Sequence, residues 1–568
     1  IEDNSLYLGN IPSGTTSTAS YNVAVGIDAL DAITTGERNV AVGYNALTSN
    51  ATADGNTASG YESLEANTTG QSNVAIGTWS LTANTTGSWN TAVGYQSLTS
   101  NTTGNSNTAS GILALYANTT GNYNTASGFH ALEENTTGHS NTASGYQSMK
   151  SNTEGDYNTA SGHYSLYYNT TGSRNTATGS SSLYSNTTGK YNTASGYSSL
   201  RYNTTGDNNT ASGYESMRAN TTGHSNTATG YYSLYSNTTG IRNTATGYYT
   251  MRNNTTGDKN TATGYYTLKG NTTGTRNIAV GYGALDAADD EDDNLAIGYD
   301  ALGGSVAGGE YNAAVGNYAL DALTSGDGNT GVGYNAMTAL TTGSGNVSFG
   351  RASGTTITTG SNNTVIGKGS DVSASGAENQ VVIGQGATGT GDNEIALGNT
   401  SISAIKAQVT SITGYSDKRI KRDIRNNDLG LAFINKLRTV KYRLKNPADY
   451  QLVLREKRFT EGNVMRPQDS DKVYDGLIAQ EVKSVIDELG IEWSGWSKND
   501  SDGKQGIQYG ALTVPLVKAV QELSTTVDIL EQQIKELEYE KRSTLGMLEK
   551  RIHELESEKE TIIVGMKD

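Results

Sequence analysis

One spacing limits what this chain can fold into. An asparagine recurs at Asn22, Asn39, Asn56, Asn73 and Asn90, and then every 17 residues to Asn294 without a slip. After one 18-residue step the series continues at Asn312, Asn329, Asn346 and Asn363, then shortens through Asn379 and Asn393, giving 23 units. A central copy reads Asn107-Thr108-Ala109-Ser110-Gly111, then Leu115, then Asn118-Thr119-Thr120-Gly121: a short extended segment followed by a turn signal. Such a unit is too short for a helical hairpin, and its recurrent glycines would each weaken a helix by roughly 1 kcal/mol. Each unit is therefore read as one coil of a stacked β-solenoid. No proline falls between Pro12 and Pro447 to interrupt the ladder. At about 4.8 Å per rung the array would extend on the order of 110 Å.

Composition decides how such a rod is expected to hold together. Of 568 residues 34% are hydrophobic, with 69 glycines and only four phenylalanines, which leaves little material for ordinary close-packed cores. Outer copies carry Val or Ile beside the alanine, as in Asn39-Val40-Ala41-Val42-Gly43 and Asn277-Ile278-Ala279-Val280-Gly281, whereas central copies have Thr and Ser there. Ordering a backbone costs roughly 1–2 kcal/mol per residue. A lone rod is thus expected to be marginal, and burial of one face of each roll against neighbouring chains is expected to supply the missing area. Which parity of the strand faces the interior is left open. The absence of cysteine excludes disulfides and thiolate chemistry, and five scattered histidines argue against a His-based metal cluster, so no metal or cofactor is expected.

The net charge of −16 comes entirely from the array: residues 1–400 hold 13 basic and 29 acidic side chains, residues 401–568 hold 27 of each. That balance argues against a nucleic-acid partner, which needs clustered Lys and Arg. No run of 18 apolar residues suggests membrane insertion. The chain opens Ile1-Glu2-Asp3 without a signal-peptide pattern, which reads as a processed product lacking its native anchor.

Three features of the array have two readings each. Asn-Thr-Thr recurs from Asn67 to Asn271 and matches a glycosylation acceptor, but turn chemistry is preferred. Asp286, Asp289, Asp290, Glu291, Asp292 and Asp293 lack the alternating spacing of a calcium loop and are read as a solvated acidic turn. Tyrosines such as Tyr231, Tyr232, Tyr248, Tyr249, Tyr265 and Tyr266 should form stacked columns that either contact a partner or simply cover the rod.

The Asn-Val-Ala-Val-Gly pattern resembles the heads of trimeric autotransporter adhesins and related phage-fibre repeats over about residues 20–400. The resemblance implies a left-handed parallel β-roll, three chains per rod and a surface used for attachment. Near residue 405 the composition changes to charged segments with helical spacing. Tyr415-Ser416-Asp417-Lys418-Arg419-Ile420, Leu431-Ala432-Phe433-Ile434, Gly476-Leu477-Ile478-Ala479-Gln480-Glu481-Val482 and Tyr509-Gly510-Ala511-Leu512 follow in order. This succession resembles the endosialidase-type intramolecular chaperones that end phage tail spikes and fibres. The resemblance implies one self-cleavage at Ser416, with Ser416 attacking an adjacent peptide carbonyl, Lys421 acting as base and Asp417 orienting the turn. Without the family, the same residues are an ordinary helix N-cap.

From Val520, the residues Leu523, Val527, Leu530, Ile534 and Leu537 form a heptad seam that restarts at Leu545, Leu548, Ile552 and Leu555 after a stutter. The expected fold is mainly β: a trimeric parallel β-roll or solenoid rod of 17-residue coils, an α+β chaperone domain and a trimeric coiled coil. The expected divisions are a lead-in 1–21, the rod 22–404, the chaperone and self-cleavage domain 405–515 and the coiled coil 516–568. The leading function is a homotrimeric viral tail fibre or spike on the virion surface that attaches to a host glycan or protein receptor. A cellular surface adhesin or structural fibre is the alternative. A polysaccharide-degrading spike would need paired carboxylates in a non-repeating groove, and these repeats single out no such site.

Overall fold

The computed structural model describes residues 4–9, 13, 18–402, 424–425, 427–443, 473–498 and 503–566. Two compact units divide the chain, Ile1–Ile405 and Lys406–Asp568.

The first unit is a parallel β-solenoid whose 24 strands form one sheet, from β1 (Leu6–Gly9) to β24 (Ile395–Leu397). Successive coils pair in register, as in Thr159↔Thr176, Ala160↔Ala177 and Ser161↔Thr178. The parity left open by the sequence is now fixed: in Thr108-Ala109-Ser110 the middle residue is buried and both neighbours are exposed. Outer coils keep this parity even though it turns the larger side chains outward. Val40-Ala41-Val42 buries the alanine and leaves Val42 39% exposed.

The rest of the interior comes from the same chain. Leu115, Leu132, Met149 and Leu166 are fully buried in successive coils, at φ of 54°, 52°, 54° and 53°. A left-handed non-glycine residue costs about 1–2 kcal/mol. Burying its side chain returns about 1.5–3 kcal/mol, so this column alone leaves little surplus. The surplus comes from two asparagine ladders. Asn107 donates its backbone N–H to Asn90 Oδ1 at 2.9 Å and its Nδ2 to the Gly121 carbonyl at 2.8 Å. Its own Oδ1 accepts the backbone N–H of Asn124, one coil on, at 2.9 Å. In the second ladder Asn118 Nδ2 donates to Asn101 Oδ1 at 2.8 Å and to the Gly121 carbonyl at 3.1 Å. The roll interior is thus closed within one chain. Asn118 and its equivalents belong to the Asn-Thr-Thr triplets, so their buried amides serve turn chemistry.

Two boundaries shift. Leu6–Gly9 pairs with Val23–Gly26, so the ladder starts inside the expected lead-in. Near the other end the inward position falls to Gln380, whose backbone N–H meets Asn363 Oδ1 at 3.0 Å, and not to Asn379. The 17-residue step therefore persists to Gln380. The last step is 14 residues, pairing Val381 with Ile395.

In the second unit, α1 (Leu431–Lys436), α2 (Ala479–Leu489) and α3 (Thr513–Gly565) accompany two antiparallel pairs. These are β25 (Val440–Tyr442) with β26 (Tyr474–Gly476), and β27 (Trp496–Lys498) with β28 (Gln505–Ile507). Their core is Leu429, Phe433, Val482, Ile486 and Trp493.

Asn118→Ala is expected to cost about 1–3 kcal/mol, because it takes the donor from Asn101 Oδ1 and the Gly121 carbonyl and the acceptor from Asn135 Nδ2. Urea unfolding of the array should show this, with Thr120→Ala near neutral. Gly179→Ala should do more damage. Gly179 sits at φ 120°, and a Cβ there would lie 2.6 Å from the Gly196 carbonyl oxygen.

Candidate functional site

The interior columns are uniform, so chemistry that differs along the array lies on its outward positions. Beyond the strand glycine, Tyr197, Tyr214, Tyr231, Tyr248, Tyr265 and Tyr282 stack one coil above another, at centroid spacings of 4.8 to 5.2 Å and within 16° of parallel. Tyr232, Tyr249 and Tyr266 meet that column at steeper angles, 88°, 71° and 57°. Rings stacked this way turn their edges and hydroxyls to solvent. Desolvation raises the Tyr214 and Tyr248 phenols of this column above their ordinary value.

The expected solvated acidic turn divides into three parts. Arg276 holds Asp293 at 2.6 Å and Asp292 at 3.1 Å, which keeps the Asp293 carboxyl below its ordinary range. Glu291 is buried and accepts the backbone N–H groups of Asp289 at 2.8 Å and Gly308 at 2.9 Å. Asp286 belongs elsewhere, with Asp300 and Asp321 of the following coils. Burial, and then repulsion from Asp300, pushes both Asp286 and Asp321 up, with Lys269 opposing the rise at Asp286. Among the described residues no group of three or more His, Asp or Glu is placed to hold a metal ion.

In the second unit the sequence motifs converge. The Phe433 and Trp493 rings lie 5.5 Å apart. The Tyr509 hydroxyl accepts the Leu477 N–H at 2.9 Å, joining the third motif to the fourth. Arg438 at the end of α1 donates to Glu481 on α2 through Nε at 2.9 Å, which lowers the Glu481 carboxyl. Glu522 of α3 reaches back to accept the Leu431 N–H at 2.7 Å, so one helix caps another. Neither Arg438 nor Glu522 was singled out by the sequence. Only Pro515 and Ala519 of α3 are buried, and the stripe from Val520 through Leu555 is exposed. Ile434, Leu437, Val440, Leu477, Leu512 and Leu516 line an apolar groove beside it.

Ser416, Asp417 and Lys421 lie outside the described residues. The comparisons bear on that stretch directly: the family model described as chaperone of endosialidase matches residues 416–491. That segment is similar to the endosialidase-type chaperones. No curated protein matches the chain. The chaperone match opens on Ser416, and the described part of it contains α1, α2 and the Arg438–Glu481 pair. None of the described helices is long and apolar enough to cross a membrane.

Phe433→Ala should destabilise the chaperone unit by about 3–5 kcal/mol. Glu522→Ala, which removes only a cap, should cost about 0.5–2 kcal/mol. Hydrogen exchange over residues 429–512 gives the order. In the array, the raised carboxyls of Asp286, Asp300 and Asp321 disfavour the folded state while ionised, and that cost is relieved as pH falls through their folded values. Asp300→Asn should therefore melt above the parent at neutral pH and lose its advantage as pH drops toward the ordinary aspartate value of 3.8.

Proposed function

We propose that this chain is a subunit of a trimeric viral fibre or spike of the phage-tail type, carried on the virion surface and attaching it to a host receptor. A C-terminal chaperone folds it and then cuts itself away at Ser416. The observation that carries this reading is the order of parts: a 24-strand solenoid followed by an endosialidase-chaperone match that begins at Ser416. The exposed stripe of α3 supports the trimer. A 53-residue helix with Leu523, Val527, Leu530 and Ile534 open to water is marginal alone, and three copies bury that seam against each other.

In the cleavage step the Lys421 amine, in its neutral form, takes the proton of Ser416 Oγ as that oxygen attacks the adjacent peptide carbonyl. The proton passes to the departing nitrogen, the C–N bond breaks, and water hydrolyses the ester left behind. Asp417 orients the turn. The reaction acts once and on its own chain, so this is not a turnover enzyme. Released from its chaperone, the rod has no route back through its assembly pathway, which slows unfolding without altering its contacts.

On denaturing gels the parent should run as two fragments meeting at Ser416, while Ser416→Ala and Lys421→Ala stay whole. Analytical ultracentrifugation of Ser416→Ala should give three times the chain mass, falling to one in Leu530→Asp. A parent that stays intact rejects the self-cleavage, and a well-folded parent sedimenting as a single chain rejects the trimer.

A further inference from the structure

The array is acidic as a whole, yet its cations are gathered in one band. Between Arg174 and Arg276 stand nine of the 13 Lys and Arg of residues 1–400, against only Asp207, Glu215 and Asp258. Toward the N-terminal side the cations are answered by carboxylates, Arg38 by Glu37 and Asp54 and Lys150 by Glu133 and Glu134, and so is Arg276 at the band's far edge, by Asp292 and Asp293. Inside the band the pattern differs. Arg201, Arg218, Arg252 and Lys269 each follow the buried Leu or Met of their coil, so they form one column, with Tyr235 in the middle place.

The cations of this column rest on tyrosine rings. Arg201 lies 5.5 Å from the ring centres of Tyr184 and Tyr202, Arg252 lies 5.1 Å from Tyr249, and Lys269 lies 4.6 Å from Tyr266. Neither Arg201 nor Arg252 has a carboxylate or a hydrogen-bond acceptor among the described residues, and their Nε atoms are buried without a partner. Arg218 donates to the Tyr235 hydroxyl at 2.7 Å and stands 3.8 Å from Glu215, and Lys269 is partly answered by Asp286. Stacking on a ring orients a guanidinium but leaves its outer N–H groups unsatisfied. At about 4.8 Å per rung the four cations fall at intervals of one, two and one rungs, within about 20 Å.

We propose that this band binds a linear acidic glycan, with its carboxylate or sulfate groups on Arg201, Arg218, Arg252 and Lys269 and its hydroxyls on the flanking tyrosine phenols. The proposal rests on the attachment reading and names the class of receptor. A saccharide chain charged at every sugar or every second sugar spaces its anions on the scale of these rungs. The comb of tyrosine edges and hydroxyls offers hydrogen bonds along the whole band. Nucleic acid fits less well, because within the column from Tyr214 to Tyr265 both faces of each ring are stacked on its neighbours and not open to a base. The acidic coils on either side repel a polyanion and so confine it to the band.

The test uses the full chain on surfaces carrying heparin, polygalacturonate, dextran or single-stranded DNA. The parent is expected to bind at least one acidic polymer and not dextran, with binding weakened by salt. Arg201→Gln with Arg252→Gln should lose roughly tenfold or more. Arg201→Lys with Arg252→Lys should lose less, and Arg38→Gln, whose guanidinium is already paired, should match the parent. Failure to bind either acidic glycan, equal binding to dextran, tighter binding to DNA, or an equal loss in Arg38→Gln would each overturn the proposal. Particle attachment to host cells separates the two readings. Attachment that survives the double Gln substitution at full strength removes the band and keeps the fibre; no attachment by the parent removes the fibre while leaving the glycan measurement standing.

Discussion

Every coil of this array completes its hydrogen bonding on the coils above and below it, and the asparagine amide is the group that makes this possible in a narrow interior. Asn107 gives its backbone N–H to the preceding coil, ties its Nδ2 to the Gly121 carbonyl of its own coil, and takes an N–H from the next coil. An apolar side chain of the same size would fill the space and leave those backbone groups unpaired, at about 1–3 kcal/mol each. The period follows from the ladder. A coil one residue longer would displace its asparagine from the column, and the single 18-residue step is absorbed where Glu291, Gly308 and Gly309 re-close the turn around Asn294.

A fixed interior leaves the exterior free to vary. The inward positions are occupied by Asn, Ala, Ser or Thr, Leu or Met and Gly almost throughout, so the outward strand positions can change from Val and Ile at the ends to Thr and Ser in the centre without altering the fold. The tyrosine columns, the basic band and the acidic trio at Asp286, Asp300 and Asp321 are all written on outward positions. A long solenoid is therefore an efficient display: each rung adds the same backbone and one chosen set of side chains.

The period, the coil and the chaperone segment were all legible in the sequence, because each rests on spacing. Strand parity was not. In Val40-Ala41-Val42 the hydrophobic side chains suggest the opposite orientation, and the width of the interior decides for alanine. The register at Asn379-Gln380 was hidden for a related reason: either amide could enter the ladder, and the preceding 17-residue step selects Gln380. The role of the amides was also hidden: by composition they count as polar surface, whereas in the ladder they act as cohesive interior. At the candidate cleavage site the sequence supplied everything that is known, since Ser416, Asp417 and Lys421 have no described geometry. What it missed nearby, Arg438–Glu481 and Glu522 on Leu431, are contacts between elements far apart in the chain, and no local pattern announces them.

Uniformity also has a kinetic cost. Central coils such as those opened by Asn107 and Asn124 are nearly interchangeable, so a coil that stacks on the wrong neighbour, or a chain that pairs one rung out of step with another, loses very few contacts. Loop closure discriminates weakly, because its entropy changes only by about 0.6 kcal/mol for each doubling of loop length. Register must then be set by what does not repeat: the 18-residue coil with its buried Glu291, the three stacked carboxylates, and the 14-residue step before Ile395. All of these lie in the last third of the array, toward its junction with the chaperone unit. A ladder that starts there propagates a correct register outward. One that starts in the interchangeable middle has nothing to correct it.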